Sequence, residues 1–226
     1  MRPGRSHCGT RACTRSIACP AARVPQWLKP GLTERQVGAK VAEAILAEGH
    51  ATVDFVIVGS GPNAASPHHE VSERILMEGD VVVVDIGGTM PSGYCSDCTR
   101  TYAIGEPPAG FTNYYEVLRQ AQETACESVR PGVTAQSVDQ AARNVISDAG
   151  YGEWFIHRTG HGIGLESHED PYIVEGNSTE LAPGMAFSVE PGIYPGPHGA
   201  RIEDIVVCVD HGFERLNIVT RELVIV

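Results

Sequence analysis

The chain has 226 residues, 42% of them hydrophobic and 20% charged, enough to bury one substantial core and ordinary for a globular protein. Its formal charge of -11 argues against the basic face that phosphate recognition needs. No apolar run approaches the roughly 20 residues of a bilayer span, so neither nucleic acid nor a membrane is expected as a partner. Residues 1–30 hold six basic residues, no acidic ones, and three of the seven cysteines. An acid-free start containing Arg and Ser is similar to a transit peptide. The reading adopted is a leader joined to a domain spanning residues 31–226, with residues 1–28 poorly ordered. The seven cysteines (8, 13, 19, 95, 98, 126 and 208) are odd in number and irregularly spaced. They read as free thiols in a reducing compartment, hence a cytoplasmic protein. Cys95 and Cys98 form a C-x-x-C pair without a second pair, and packing is the better reading for them.

From Gly31 onward helices and strands alternate. Thr33 and Gln36 have capping-box spacing, and Val37, Val41 and Ile45 recur at helical intervals until Gly49. Val53, Phe55 and Ile57 alternate as a strand does. The run Val81–Ile86 is expected to turn at Gly87-Gly88 and return through Tyr94–Tyr102 as a hairpin, with Met90–Gly93 at its tip. A helix is expected over residues 113–129, ended by Pro131-Gly132. The pattern then repeats. Gly31-Leu-Thr33 reappears as Gly132-Val-Thr134, Gly79 precedes Asp85 as Gly184 precedes Glu190, and Asp97 and Glu203 follow their partners at nearly equal distances. Each half thus offers a helix and a hairpin with one carboxylate per limb, a duplicated α/β architecture.

Asp85 and Glu190 interrupt apolar runs, and no basic residue lies beside either in sequence. Four carboxylates brought together at the junction of two halves cannot all stay ionised without cations. Two divalent metals about 3.5–4 Å apart would satisfy them. His157, His161 and His168 fall in one Gly-rich stretch, where backbone comes close to a site. His68-His69, in a turn-rich loop, is less specific and reads equally as a surface pair.

Gly160-His-Gly-Ile-Gly164, Val189-Glu-Pro-Gly-Ile193 and Arg201-Ile-Glu-Asp204, with Asp85 and Asp97, resemble the pita-bread metallopeptidases: methionine aminopeptidase, aminopeptidase P and prolidase. The resemblance runs from about Gly31 to Val226. It implies an α/β (α+β) pita-bread fold with an internal pseudo-twofold duplication. It further implies that Asp85, Asp97, His161, Glu190 and Glu203 bind two metals, Mn or Co above Zn or Fe, with Asp97 and Glu203 bridging. By the same resemblance His68 and His168 contact the substrate and stabilise the tetrahedral intermediate, Glu190 helps move the attacking proton, and Thr99 stands beside the metals. His157 and Arg201 match the proline-directed branch and are its substrate-binding candidates. An ordinary ion pair with Glu203 or Asp204 is the plain alternative for Arg201. The expected reaction is hydrolysis of Xaa-Pro bonds in short peptides, as a dipeptidase or aminopeptidase P. Methionine aminopeptidase activity and a non-catalytic binding module are the alternatives. The first two aspartates stand one residue farther apart than the family pattern. Proline-directed members also carry an N-terminal domain that helps form a homodimer, and 30 residues are too few to supply it.

Overall fold

The computed structural model describes Ile17 and residues 20–226. Cys8, Cys13 and Cys19, and most of the expected leader, lie outside the described residues. The rest of that leader is ordered, which corrects the expectation. Residues 20–23 are helical and run into a 3-10 turn, Val24–Gln26. Ile17, Ala21, Val24 and Leu28 are buried in the core of the first half. Their 4-3-4 spacing is a helical stripe, and burying it outweighs the basic, acid-free composition that suggested disorder.

Helix α1 (Glu34–Ala47) begins on the expected capping box: Thr33 Oγ1 accepts from Gln36 N at 3.1 Å, and Gln36 Oε1 accepts from Thr33 N at 2.9 Å. Strand β1 (Thr52–Ser60) pairs with β2 (Val81–Thr89), β2 with β3 (Cys95–Ala103), and β3 with the short β11 (Val224–Ile225). Helices α2 (Phe111–Ser128) and α3 (Ala135–Asp148) lead into the second half. Its five-stranded sheet runs β5 (Glu169–Ile173), β4 (Gly160–Gly162), β6 (Ala186–Val189), β9 (Asp204–Val209) and β10 (Gly212–Arg215). The two-residue strands β7 (Gly192–Ile193) and β8 (Ala200–Arg201) pair with each other.

The expected hairpin forms, but its turn differs from the reading at Gly87-Gly88. Both glycines lie inside β2, and the chain reverses at Met90–Gly93, where Met90 N donates to Tyr94 O at 2.9 Å. Glycine is needed in the strand for space: a Cβ at Gly87 would stand 2.4 Å from the Phe55 ring and 2.7 Å from Ser96 O. Cys95 and Cys98, three apart on one strand, point to opposite faces. Both are buried free thiols packed in different clusters, as the packing reading expects.

The repeat is written into the backbone. Gly31 N donates to Leu76 O at 3.0 Å, and its counterpart Gly132 N donates to Leu181 O at 2.9 Å. Glu34 N to Arg74 O recurs as Ala135 N to Thr179 O, and the isolated bridge Thr33–Ile75 recurs as Thr134–Glu180.

Strand periodicity aims the site. In β2, Val82, Val84 and Ile86 pack toward α1 and the amino-terminal segment, whereas Val81 and Val83 pack in the core shared with α2 and the second sheet. Asp85 shares the parity of Val81 and Val83, so it faces the second half. Across the pair Asp85 stands opposite Thr99, and Gly87 opposite Asp97, which places Asp97 and Thr99 on that same face.

Glu34 sits fully buried at the start of α1. Burial pushes its carboxyl up, but hydrogen bonds from the Ser72 and Ser60 hydroxyls, Ser60 N and His69 outweigh that and hold it at about 2. Its native-state pKa is thus lowered, so its stabilisation is present above the unfolded-state value near 4.5 and is lost as pH falls toward 2. The stability gap between wild type and Glu34→Gln is expected to narrow over that window, measured by urea midpoints at stepped pH. A gap that stays constant from pH 6 to pH 3 would contradict this.

Candidate metal centre

Five elements converge on one cavity. Asp85 comes from β2, Asp97 from β3 and His161 from β4, while Glu190 follows β6 and Glu203 precedes β9. His161 Nε2 lies 3.2 Å from Glu190 Oε1 and 3.7 Å from Asp97 Oδ2. Asp97, His161 and Glu203 each place one ligand atom within 4.8 Å of the others. His161 Nδ1 stands 3.1 Å from Gly162 O. A carbonyl only accepts, so Nδ1 carries a proton in either state of the ring: protonated, Nε2 donates to Glu190, and deprotonated, it offers the lone pair that metal ligation requires.

Contrary to the expectation of an acid without a basic partner, Arg201 reaches Asp85 from 116 residues away. Its guanidinium also donates from Nε to Thr99 Oγ1 at 3.2 Å and from Nη1 to Pro67 O at 2.9 Å. The plain alternative for Arg201, a pair with Glu203 or Asp204, is replaced by this one. Thr99 hands the contact on, its hydroxyl donating to Glu203 Oε2 at 2.8 Å. Glu203 N donates to Thr99 O at 3.1 Å, which stitches the two sheets at the site itself.

One arginine does not balance four acids. Among the described residues, Asp85 Oδ1, Asp97 Oδ1 and Glu203 Oε1 are buried with no hydrogen-bond partner. Burial, reinforced by the neighbouring carboxylates, drives Asp97 and Glu203 well above the ordinary carboxyl range and raises Asp85. Glu190 goes the other way: burial raises it, but the hydrogen bond and charge of His161, followed by Arg201, hold it at about 2. Orphaned buried oxygens of one sign around an imidazole lone pair are the donor set that divalent cations satisfy.

The cavity has a volume of about 610 Å³ and is lined by all five residues together with His68, His157, His168 and Arg201. The structure thus brings together all nine polar groups that the sequence nominated. The His168 ring lies 3.9 Å from that of His161, and burial, with His161 beside it, holds its pKa down at about 4. His157 is likewise held at about 4, chiefly by burial. Its Nδ1 donates to Arg158 O at 2.7 Å, and its Nε2 accepts from Tyr194 OH at 3.1 Å. Both rings are neutral at pH 7.

Some groups escaped the sequence reading. Ser188 Oγ donates to Glu190 Oε1 at 3.0 Å and accepts from His161 N at 2.9 Å. Its position two before Glu190, on the same strand face, was the available signal. Asn217, whose amide holds Asp97 O at 3.0 Å from 120 residues away, carried none. Phe55, Ile57 and Tyr172 add apolar wall.

Gly160 lets β4 approach β6. A Cβ there would lie 1.9 Å from Ser188 O. Gly160→Ala is expected to cost about 3 kcal/mol of stability through the forced strand separation and to weaken divalent-metal binding by displacing His161. Thermal melts and titration calorimetry measure the two effects, and a variant with native stability and metal affinity would refute the packing argument.

The comparisons agree with this geometry. The chain is 60% identical over 206 residues to the probable dipeptidase PepE of Mycobacterium tuberculosis, covering 91% of this chain and 55% of that protein. It is 46% identical over 199 residues to the Xaa-Pro dipeptidase of Lactobacillus delbrueckii subsp. lactis, covering 87% of this chain and 54% of that protein. The crystal structure of dipeptidase PepE from Mycobacterium ulcerans superposes with a TM-score of 0.97 at 56% identity, over 99% of this chain and 60% of that one. The chain thus spans about half the length of the curated relatives it matches, and its fold is the pita-bread fold they share. Divalent metal ions follow from the family, and the orphaned oxygens above fit them. With residues 10–210 matching Metallopeptidase family M24, a family whose metal chemistry suits this carboxylate and imidazole set, the chain belongs to that family.

Proposed function

We propose that this protein is a metallo-exopeptidase that hydrolyses Xaa-Pro bonds in short peptides, in the manner of a dipeptidase or aminopeptidase P. The observation that carries the proposal is the cluster of three unpartnered carboxylate oxygens beside the His161 lone pair, inside a cavity of about 610 Å³. Asp85, Asp97, His161, Glu190 and Glu203 would hold two divalent ions. Mn or Co is favoured over Zn or Fe by the excess of carboxylate oxygen. When bound, such ions supply Lewis-acid polarisation and make water nucleophilic at neutral pH.

The protein's own residues do the rest. Glu190, held by Ser188 and His161, keeps its carboxylate ionised and accepts the proton of the attacking water. His168 and His68, on the cavity wall, donate to the oxyanion as the carbonyl becomes tetrahedral. His157 and Arg201 shape the substrate pocket: Tyr194 OH orients the first, and Asp85 and Thr99 pin the second. The cytoplasm and a homodimeric assembly belong to the same proposal. The four described cysteines are free thiols, and no helix among the described residues is long and apolar enough to cross a membrane.

The test is an assay of Gly-Pro and of Ala-Pro-led peptides with Mn or Co added, beside Met-Ala peptides. Metal-dependent cleavage of the proline substrates is expected. Cleavage of Met-Ala alone would transfer the site to methionine aminopeptidase chemistry. Folded, metal-loaded protein that cleaves neither would leave a binding module. Light scattering reads the assembly.

A further inference from the structure

Both candidates for oxyanion contact stand outside regular secondary structure, but His168 directly precedes β5, whereas no strand adjoins His68. It lies between β1 and β2, in the segment from Ser60 to Ser72, and reaches the cavity beside Pro67. Among the described backbone contacts, residues 66–71 make one internal bond, His69 N to Ser66 O at 3.3 Å. A segment so thinly bonded needs something else to aim an imidazole.

That something is a single buried carboxylate. Glu34 Oε1 accepts from Ser60 N at 2.8 Å, Ser60 Oγ at 2.7 Å and Asn63 Nδ2 at 3.0 Å. Its Oε2 accepts from Ser72 Oγ at 2.6 Å, Ser72 N at 3.2 Å and His69 Nε2 at 2.8 Å. The donors are the two ends of the segment, its first turn, and the residue next to His68. Glu34 is wholly buried, and the His69 side chain is only 18% exposed. From the opposite side Arg201 grips Pro67 O while holding Asp85. The dipeptide Pro67-His68 therefore hangs between a clamp outside the cavity and one inside it.

We propose that Glu34 is a positioning residue for His68: its carboxylate gathers Ser60, Asn63, His69 and Ser72 and so fixes the segment that presents the His68 imidazole to the substrate. This rests on the reading of His68 as a substrate-facing group. Glu34 stands at the amino-terminal turn of α1, outside the lining of the cavity, so it acts through its neighbours and not by contact. Capping α1 alone would not require six donors drawn from 26 to 38 residues away.

A double-mutant cycle separates positioning from simple stabilisation. In the full chain loaded with Mn, Glu34→Gln is expected to lower kcat/KM for Gly-Pro by about 10- to 100-fold, the range typical of groups that orient site residues. In a His68→Ala background the same change is expected to cost about 2-fold or less, because the group being positioned is gone. Multiplicative penalties in the two backgrounds would overturn the proposal. Deuterium exchange supplies a readout independent of turnover: the hydrogen-bonded amides of the segment, Ser60, Ser66, His69 and Ser72, are expected to exchange at least about 10-fold faster in Glu34→Gln, with β2, β3 and β9 unchanged. Unaltered exchange there overturns the proposal even where activity falls. If wild type cleaves no proline substrate, the peptidase reading fails, and the exchange arm still decides whether Glu34 holds the segment. Should Glu34→Gln not fold, His69→Leu breaks the link nearest His68 and carries the same two expectations.

Discussion

Glu203→Gln is expected to lower metal-dependent hydrolysis by about 10³-fold or more while leaving the metal-free protein at least as stable as wild type. The two halves of that expectation have one cause. Burial pushes the Glu203 carboxyl upward, the charges of Glu190 and Asp85 add to it, and its Oε1 has no partner. Without a cation the charge is a burden, and a neutral isostere of the same shape removes it. The carboxamide oxygen still accepts from Thr99 Oγ1, so the contact between the halves persists. With a cation the charge is the ligand, and its removal takes away both affinity and the field that the reaction uses. Calorimetric titration with Mn, melts with and without metal, and the Gly-Pro assay measure the three parts. A variant that loses stability in metal-free buffer would show that Glu203 is structural first.

The largest loss of stability is expected one residue later. Asp204→Asn should destabilise the protein by about 3–5 kcal/mol, the cost of leaving a buried cation unpaired. Asp204 is fully buried and lies 2.6 Å from Arg100, itself only 3% exposed. Arg100 also donates to Glu203 O at 2.5 Å, Thr220 O at 2.8 Å and Val219 O at 2.8 Å. The carboxylate meanwhile holds Gln122 at 3.0 Å, Arg215 at 3.0 Å and Arg221 at 3.3 Å. This hub ties β3, α2, β9, β10 and the carboxy-terminal stretch together. Against a net stability of roughly 5–15 kcal/mol the loss would be severe. Urea denaturation of Asp204→Asn measures it. Pairing Asp204→Leu with Arg100→Leu should recover much of the loss if the uncompensated charge is the cause. A single variant within about 1 kcal/mol of wild type would remove the hub from the argument.

The sequence made the candidate metal centre legible because acids inside apolar strands are conspicuous. Asp85 sits after four valines and Glu190 after Ala-Phe-Ser-Val, and the repeat paired them. It made α1 legible through the Thr33 capping box. It hid what depends on distant partners. Nothing near Asp85 foretold Arg201, and nothing near Glu34 or His69 foretold their contact across 35 residues. The glycines at 87 and 88 suggested a turn because glycine's steric permission and its small size look alike in a sequence; here size was the reason. The amino-terminal stretch reads as disordered on its charge alone, whereas its apolar stripe at 17, 21, 24 and 28 is what buries it.

The seam between Thr99 and Glu203 has a thermodynamic meaning. Asp85 and Asp97 belong to one half, His161, Glu190 and Glu203 to the other, so an ion held by both sets binds the docked halves and has no equivalent affinity for them apart. By linkage, every increment of metal affinity is then an increment of cohesion between the halves, about 2.7 kcal/mol when free metal stands at 100 times its Kd. Under the proposed function such an ion would be both reagent and rivet, and chelation is expected to loosen the protein as well as stop the reaction.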